Sequence, residues 1–357
     1  MLQGTTQEDF SQYQKHNTNI IETRSDTFTV PDQAMIDAMM RADVGDDVYD
    51  IDPTVIKLQD YAADLVGMET SLFMPTGTQS NLTAMMVHCG RGDEVITGNI
   101  YHIYQYEARG ASILGGMSLT PLPVNTTNSL SPRDIEQHIK ADDVHFPTTR
   151  LISLENTVNG EPQDLDNIAE IIKIAKKHGL KTHCDGARMM NAAVALGVKP
   201  SKVAQGFDSV SMCLSKGLGT PIGTMLCGSK DFIMTAKRIR KLLGGGMRQV
   251  GYMAAAGLYA LEHNIERLAQ DHAHAQQLQQ ALLDFSDKMT YAPTQHSNMV
   301  FIHPKPAHQP TITDFMAKNG VMMSNDIGKI RLVMHKNIND AQVSHLIDLF
   351  RAFYQQH

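Results

Sequence analysis

Two short strand-like stretches, each ending in an ionisable residue, constrain this chain more than anything else in it. The first is Lys181-Thr-His-Cys-Asp185; the second is Ser209-Val-Ser-Met-Cys-Leu-Ser-Lys216. Both read as short buried strands. Asp185 and Lys216 lie 31 positions apart, and a strand, a crossover helix and the next parallel strand take roughly 30 residues. The two side chains are therefore expected at the carboxyl ends of strands in one parallel sheet. Open α/β sheets bind their ligands there. Gly217, Gly219 and Gly223 follow the lysine and allow the backbone to turn tightly beneath it.

Ser215-Lys216-Gly217 taken alone also fits a surface lysine at a strand end. Asp185 changes that reading. Pyridoxal phosphate needs both groups: an amine that holds its aldehyde as an imine, and a carboxylate that keeps its pyridine nitrogen protonated.

The rest of the chain alternates strands and helices in the manner of an α/β domain. Strands are expected at the start of Thr70–Asn81, in Arg91–Gly98, at Leu151–Asn156 and at Gly223–Gly228. Pro75-Thr-Gly77-Thr78 opens a helix carrying Leu82, Met85, Met86 and Cys89, whose free N–H groups suit a phosphate. An ordinary helix cap looks the same. His102 lies just past a strand end, placed either to lie flat on a cofactor ring or as a partly buried histidine. Ile168, Ile171, Ile172 and Ala175 mark a helix after Asp164 that stops at Gly179. A helix from Asp32 is expected to carry Met35, Ile36, Met39 and Met40 along one side. The basic run Lys237–Lys241 reads as a solvated helical face. It leads into a glycine loop carrying Arg248. One long helix is expected from Tyr252 to Phe285, with His263, His272 and His274 on its surface.

A small α+β unit follows: a strand Asn298–His303, a helix near Thr313–Lys318, a strand Lys329–His335 and a final helix from Asn339-Asp340. Arg331 alternates with apolar neighbours. If it faces inward it needs an anion; an edge or surface arginine is the other reading. The expected division is an extension over residues 1–22, a large domain over 23–265 and a small one over 266–357.

Net charge is −7 with no basic block, so nucleic acid is not an expected partner. No apolar run approaches the roughly 18 residues of a membrane helix, and the first 20 residues lack a secretory core. Cys89, Cys184, Cys213 and Cys227 are scattered in apolar contexts, as free thiols in a reducing cytoplasm would be. The acidic loop Gly45–Pro53 lacks the alternate-ligand pattern of a calcium loop, and no metal is expected.

Together these segments resemble the L-threonine aldolase family of pyridoxal-phosphate enzymes, low-specificity type. The matching motifs are Arg24-Ser-Asp-Thr27, Gly45-Asp-Asp-Val-Tyr49, Pro75-Thr-Gly-Thr78, Leu154-Glu-Asn-Thr157, Asp185-Gly-Ala-Arg188, Leu214-Ser-Lys-Gly-Leu-Gly219, Gly244-Gly-Gly-Met-Arg-Gln249 and Arg331-Leu-Val. The resemblance runs from about Ile21 to the C-terminus. It implies a mostly parallel seven-stranded sheet flanked by helices, plus a smaller C-terminal domain. It implies retro-aldol cleavage of L-threonine and L-allo-threonine to glycine and acetaldehyde, in a homotetramer built from two dimers with shared active sites. Lys216 is then the cofactor lysine and Asp185 the partner of the ring nitrogen. Gly77, Thr78 and a neighbouring subunit's Arg248 serve the phosphate, and His102 stacks on the ring. Ser25, Arg188 and Arg331 grip the substrate carboxylate, with Arg188 also counted beside the cofactor, and His145 approaches the substrate hydroxyl. The base stays open among His102, His145 and a water. Two positions depart from the family: Val158 stands where a histidine is common, and Asp50-Ile51 replaces a glycine-acid pair. Aminotransferase, β-eliminating lyase and non-catalytic readings remain the alternatives.

Overall fold

The structure is a computed structural model and describes residues 20–324, 326 and 328–356. The expected N-terminal extension therefore falls almost wholly outside the described residues. Twelve strands are found among them: β1 Ile21–Glu22, β2 Thr70–Met74, β3 Glu94–Gly98, β4 Ser118–Leu122, β5 Thr149–Glu155, β6 Lys181–Gly186, β7 Ser209–Cys213, β8 Thr224–Gly228, β9 Met289–His296, β10 Met299–Pro304, β11 Val321–Met322 and β12 Ile330–Val333.

Seven of them form the central sheet in the order β2-β8-β7-β6-β5-β3-β4. The pairs from β4 through β3, β5 and β6 to β7 are parallel; only β8 runs against its neighbours. β3, β7 and β8 are buried at every residue, which is why they read as continuous apolar or small-residue runs. Helices cover the sheet. The helix Leu165–Lys177 turns Ile168, Ile171, Ile172 and Ala175 inward. Its N-cap is Asp164, and Gly179 beyond its end has φ +67°.

A second apolar core lies around the antiparallel sheet β12-β10-β9 and the closing helix Asp340–Gln356. Phe350 and Phe353 from that helix are wholly buried, worth about 2–3 kcal/mol each. β1 pairs in parallel with β11, and Ile21 joins this second core.

Three local expectations need correction. The pattern from Tyr252 to Phe285 is two helices, Gly251–His263 and Leu268–Leu283. The break is at Asn264, whose side chain donates to the Leu218 carbonyl and so holds the loop just after Lys216. The basic run is not simply a solvated face. Arg240 is buried, donating to the Phe73 carbonyl at 2.7 Å and pairing with Asp47 at 2.8 Å. His274 is likewise buried and bonded to Asp340. In the helix Gln33–Met40, Met35 is buried but Ile36 and Met40 are exposed.

Candidate active site

Five of the residues singled out from sequence, Gly77, Thr78, His102, Asp185 and Lys216, meet where the main sheet's parallel strands end. A cavity of about 270 Å³ is lined by Gly77, Thr78, Asn81, His102, Glu107, Asp185, Ser215 and Lys216, among others. β2 delivers the first pair, β3 leads to His102, β6 carries Asp185 next to its last residue and the turn after β7 presents Lys216.

The lysine turn is fixed from below. The Lys216 carbonyl accepts from the Gly219 N–H at 2.8 Å and from Thr29 Oγ1 at 2.8 Å. Gly219 has φ +84°, and a Cβ there would stand 2.6 Å from Lys336 Cδ, so a side chain at 219 would strain the backbone and displace Lys336. Lys216 itself is half-buried.

Asp185 is held on both oxygens: Oδ1 accepts from Ala187 N at 3.1 Å and Oδ2 from Asn81 Nδ2 at 2.9 Å. Glu155 lies near it at the end of β5 and accepts from the His102 N–H at 2.6 Å. Burial and the adjacent Asp185 push the Glu155 carboxyl up to about 8. Glu107 accepts from both Asn81 Nδ2, at 2.9 Å, and His102 Nδ1, at 2.8 Å. Burial raises Glu107 as well. The hydrogen bond to Glu107 raises His102 above its ordinary value, against the effect of burial.

The helix Gly77–His88 starts at Thr76, whose hydroxyl accepts from Gln79 N and whose carbonyl accepts from Ser80 N. That leaves the N–H groups of Gly77 and Thr78 at the cavity, with the positive end of the helix behind them.

The three residues expected at a substrate carboxylate lie on two neighbouring loops and β12. Arg188 grips Asp26 with Nε at 2.9 Å and Nη2 at 2.6 Å. Arg331 donates from Nη2 to the Arg24 carbonyl at 3.1 Å, while its Nε is buried without a hydrogen-bond partner. Burial, and then the positive Arg188, lower Arg331. Asp26 is taken up by Arg188 alone, and Arg331, close enough to feel the Arg188 charge, leaves a positive surplus suited to an anion. Ser25 Oγ accepts from Thr27 N and Thr27 Oγ1, so its own proton is free to donate.

Ser25, Arg188 and Arg331 are not among the residues lining this cavity, and two further expected residues stay apart from it within one chain. The His145 side chain is 81% exposed and bonded to Asp143. Arg248 is exposed and paired with Asp46 at 2.9 Å. Val158, one of the two departures, is buried in the main core.

Asn81, Glu107, Glu155 and Asp26 went unrecognised as site residues in the sequence. For Asn81 a signal existed: Gln79-Ser80-Asn81 puts polar residues in the first turn of a helix buried on several sides. Asp26 stands inside the Arg24–Thr27 motif itself.

The site suits pyridoxal phosphate on its own chemistry. A lysine amine, a doubly anchored carboxylate, an imidazole and a helix N-terminus converge on one small cavity.

A family model described as beta-eliminating lyase matches residues 22–305. The low specificity L-threonine aldolase of Escherichia coli (strain K12) is 43% identical, over 94% of this chain and 99% of its own length. A probable low-specificity L-threonine aldolase of Arabidopsis thaliana is 38% identical, over 94% and 97%. Among solved structures, the threonine aldolase of Leishmania major superposes with a TM-score of 0.79, at 20% identity, over 93% of this chain and 99% of that one. The chain belongs to the low-specificity L-threonine aldolases, within the beta-eliminating lyase family.

Proposed function

We propose that this protein is an aldehyde-lyase that cleaves L-threonine and L-allo-threonine between Cα and Cβ, giving glycine and acetaldehyde, with pyridoxal phosphate as cofactor. The observation that carries the reading is the convergence of Lys216, Asp185 and His102 on one cavity headed by the helix N-terminus at Gly77.

Lys216 would hold the cofactor aldehyde, Asp185 its ring nitrogen and His102 its ring face. The N–H groups of Gly77 and Thr78, with Arg248 of a neighbouring copy, would hold its phosphate. Bound there, the cofactor supplies the electron sink that a departing Cα–Cβ bond requires.

The chain's own residues do the rest. Arg331, Arg188 and Ser25 bind the substrate carboxylate through charge-assisted hydrogen bonds and so fix the rotation about Cα. Fixing that rotation aims Cβ at the reactive direction and refuses the D configuration by geometry. His102 keeps its Nδ1 proton on Glu107, which leaves Nε2 to take the proton of the β-hydroxyl. His145, on its exposed loop, is the second candidate for that hydroxyl. Like Arg248, it would serve a site completed by another copy of the chain, in a dimer of dimers. No helix among the described residues is long and apolar enough to cross a membrane; the four buried free cysteines favour a reducing cytoplasm.

The test is an assay of purified protein for glycine and acetaldehyde from L-threonine, L-allo-threonine and D-threonine. Cleavage of both L substrates and refusal of the D form is expected. Conversion of threonine to a keto acid in the presence of pyruvate would indicate an aminotransferase instead.

A further inference from the structure

A buried chain of polar side chains runs from Asp185 to the opposite end of the sheet. Asp185 Oδ2 meets Asn81 Nδ2 at 2.9 Å. Asn81 Oδ1 meets His183 Nε2 at 3.2 Å, and His183 Nδ1 meets Ser209 Oγ at 2.8 Å. Ser209 Oγ then meets His88 Nε2 at 2.7 Å. Asn81, His183 and Ser209 are buried; His88 reaches a surface groove, its ring stacked 4.7 Å from Phe232. Lys181 and Asp208 flank that end and pair with each other at 2.9 Å.

The proton positions in this chain follow one by one. Asn81 Nδ2 faces two carboxylates, Asp185 and Glu107. Both need donors, so the two amide protons are spent on them, and turning the amide over would set its oxygen against the Asp185 charge. Asn81 Oδ1 can therefore only accept, and His183 must carry its proton on Nε2. His183 Nδ1 is then bare and accepts the Ser209 hydroxyl proton. Ser209 has no second proton to give, so His88 must donate from Nε2. Every hydrogen in the chain points toward Asp185.

We propose that Asn81 is the positioning residue for Asp185, and that His183, Ser209 and His88 hold its amide in the one orientation that serves Asp185. A second amide proton goes to Glu107, which in turn holds His102. One side chain thus sets the carboxylate under the ring nitrogen and the imidazole on the ring face together. Both histidines of the chain are neutral. Burial pushes His183 down to about 3 and His88 down to about 4. The role assigned to Asn81 rests on Asp185 being the partner of the cofactor ring nitrogen; the proton order itself does not.

Nitrogen-15 spectra of histidine-labelled apoprotein test the proton order directly, with His183 assigned by its loss in a variant. The expected result is protonated Nε2 and bare Nδ1 at His183, unchanged between about pH 6 and about pH 8. A proton on Nδ1, or titration in that range, would overturn the proposal. The second measurement is pyridoxal phosphate affinity by equilibrium dialysis in His183→Phe and His183→Gln. His183→Phe keeps a ring without donors, leaves the buried Asn81 Oδ1 unpaired and should weaken binding by about tenfold, the scale of an unsatisfied buried acceptor. His183→Gln keeps a donor for Asn81 and should stay within about threefold of the parent. Parent-like affinity in His183→Phe would overturn the proposal; if that variant does not fold, the tautomer in the parent decides. A parent protein that binds no pyridoxal phosphate would refute the cofactor reading and leave the proton order standing.

Discussion

Glu107 accepts the Nδ1 proton of His102 at 2.8 Å, and this one contact decides which nitrogen of that ring can act. Nε2 is left as the only proton acceptor, on the half-buried side chain that lines the cavity. The same carboxylate stabilises the imidazolium, which is why His102 lies above its ordinary value.

Replacing Glu107 by Gln removes that stabilisation, and His102 becomes a weaker base with a lower pKa. A base works only when unprotonated, so the acidic limb of the kcat/KM profile should move to lower pH. Glu107 is itself raised by burial, so the limb reports the His102–Glu107 pair. A limb that stays in place would mean that His102 does not set it.

His102→Phe and His145→Ala divide the work at the hydroxyl. Phenylalanine keeps a ring for stacking and removes the base, which typically costs about 10²–10⁴-fold in kcat. His145→Ala should change the ratio of rates on the two threonine diastereomers while cleavage continues. Cofactor-loaded His145→Ala with no activity would make His145 the obligatory base.

Arg331→Ala should raise KM by about 10- to 100-fold, the range for a lost hydrogen bond to a charged group, with the cofactor still bound. The buried, unpartnered Nε of Arg331 and its proximity to Arg188 motivate this. Unchanged KM would place the carboxylate site elsewhere.

Asp26 links the N-terminal motif to Arg188, and its loss should be felt in stability. Burial alone would raise its pKa; the Arg188 guanidinium overrides that and holds it at about 2. A depressed folded-state pKa stabilises above the ordinary value of 3.8, and the contribution fades as pH falls toward about 2. At about 1.4 kcal/mol per unit the linkage amounts to about 2 kcal/mol. Asp26→Asn leaves Arg188 buried without its counter-charge and should cost roughly 3–5 kcal/mol in urea unfolding near neutral pH. A variant as stable as its parent would show that Arg188 finds another anion.

Much of this architecture was legible because the sheet is parallel and buried. Strands ending near Asp185 and Lys216, and the spacing between them, carry the site in plain view. The strands that escaped notice are polar or broken by proline. β4 includes Pro121 at the sheet edge and β9 includes Pro293, positions where a missing N–H is tolerated. The break at Asn264 was hidden because its cause is a tertiary contact, a side chain reaching Leu218. Arg240 misled for the same reason: its partners, Asp47 and the Phe73 carbonyl, lie far away in sequence. Asn81 is the clearest case. Its three partners, Glu107, Asp185 and His183, come from two distant segments, and nothing about an asparagine on a helix announces them.

The most direct test of the account is where the cofactor is attached. Purified protein supplied with pyridoxal phosphate should turn yellow, and borohydride should then fix the cofactor covalently. Peptide mapping should place the label on Lys216, in the peptide that continues Leu214-Ser-Lys-Gly217. A label on any other lysine, with Lys216 unmodified, would contradict the assignment of this cavity as the active site.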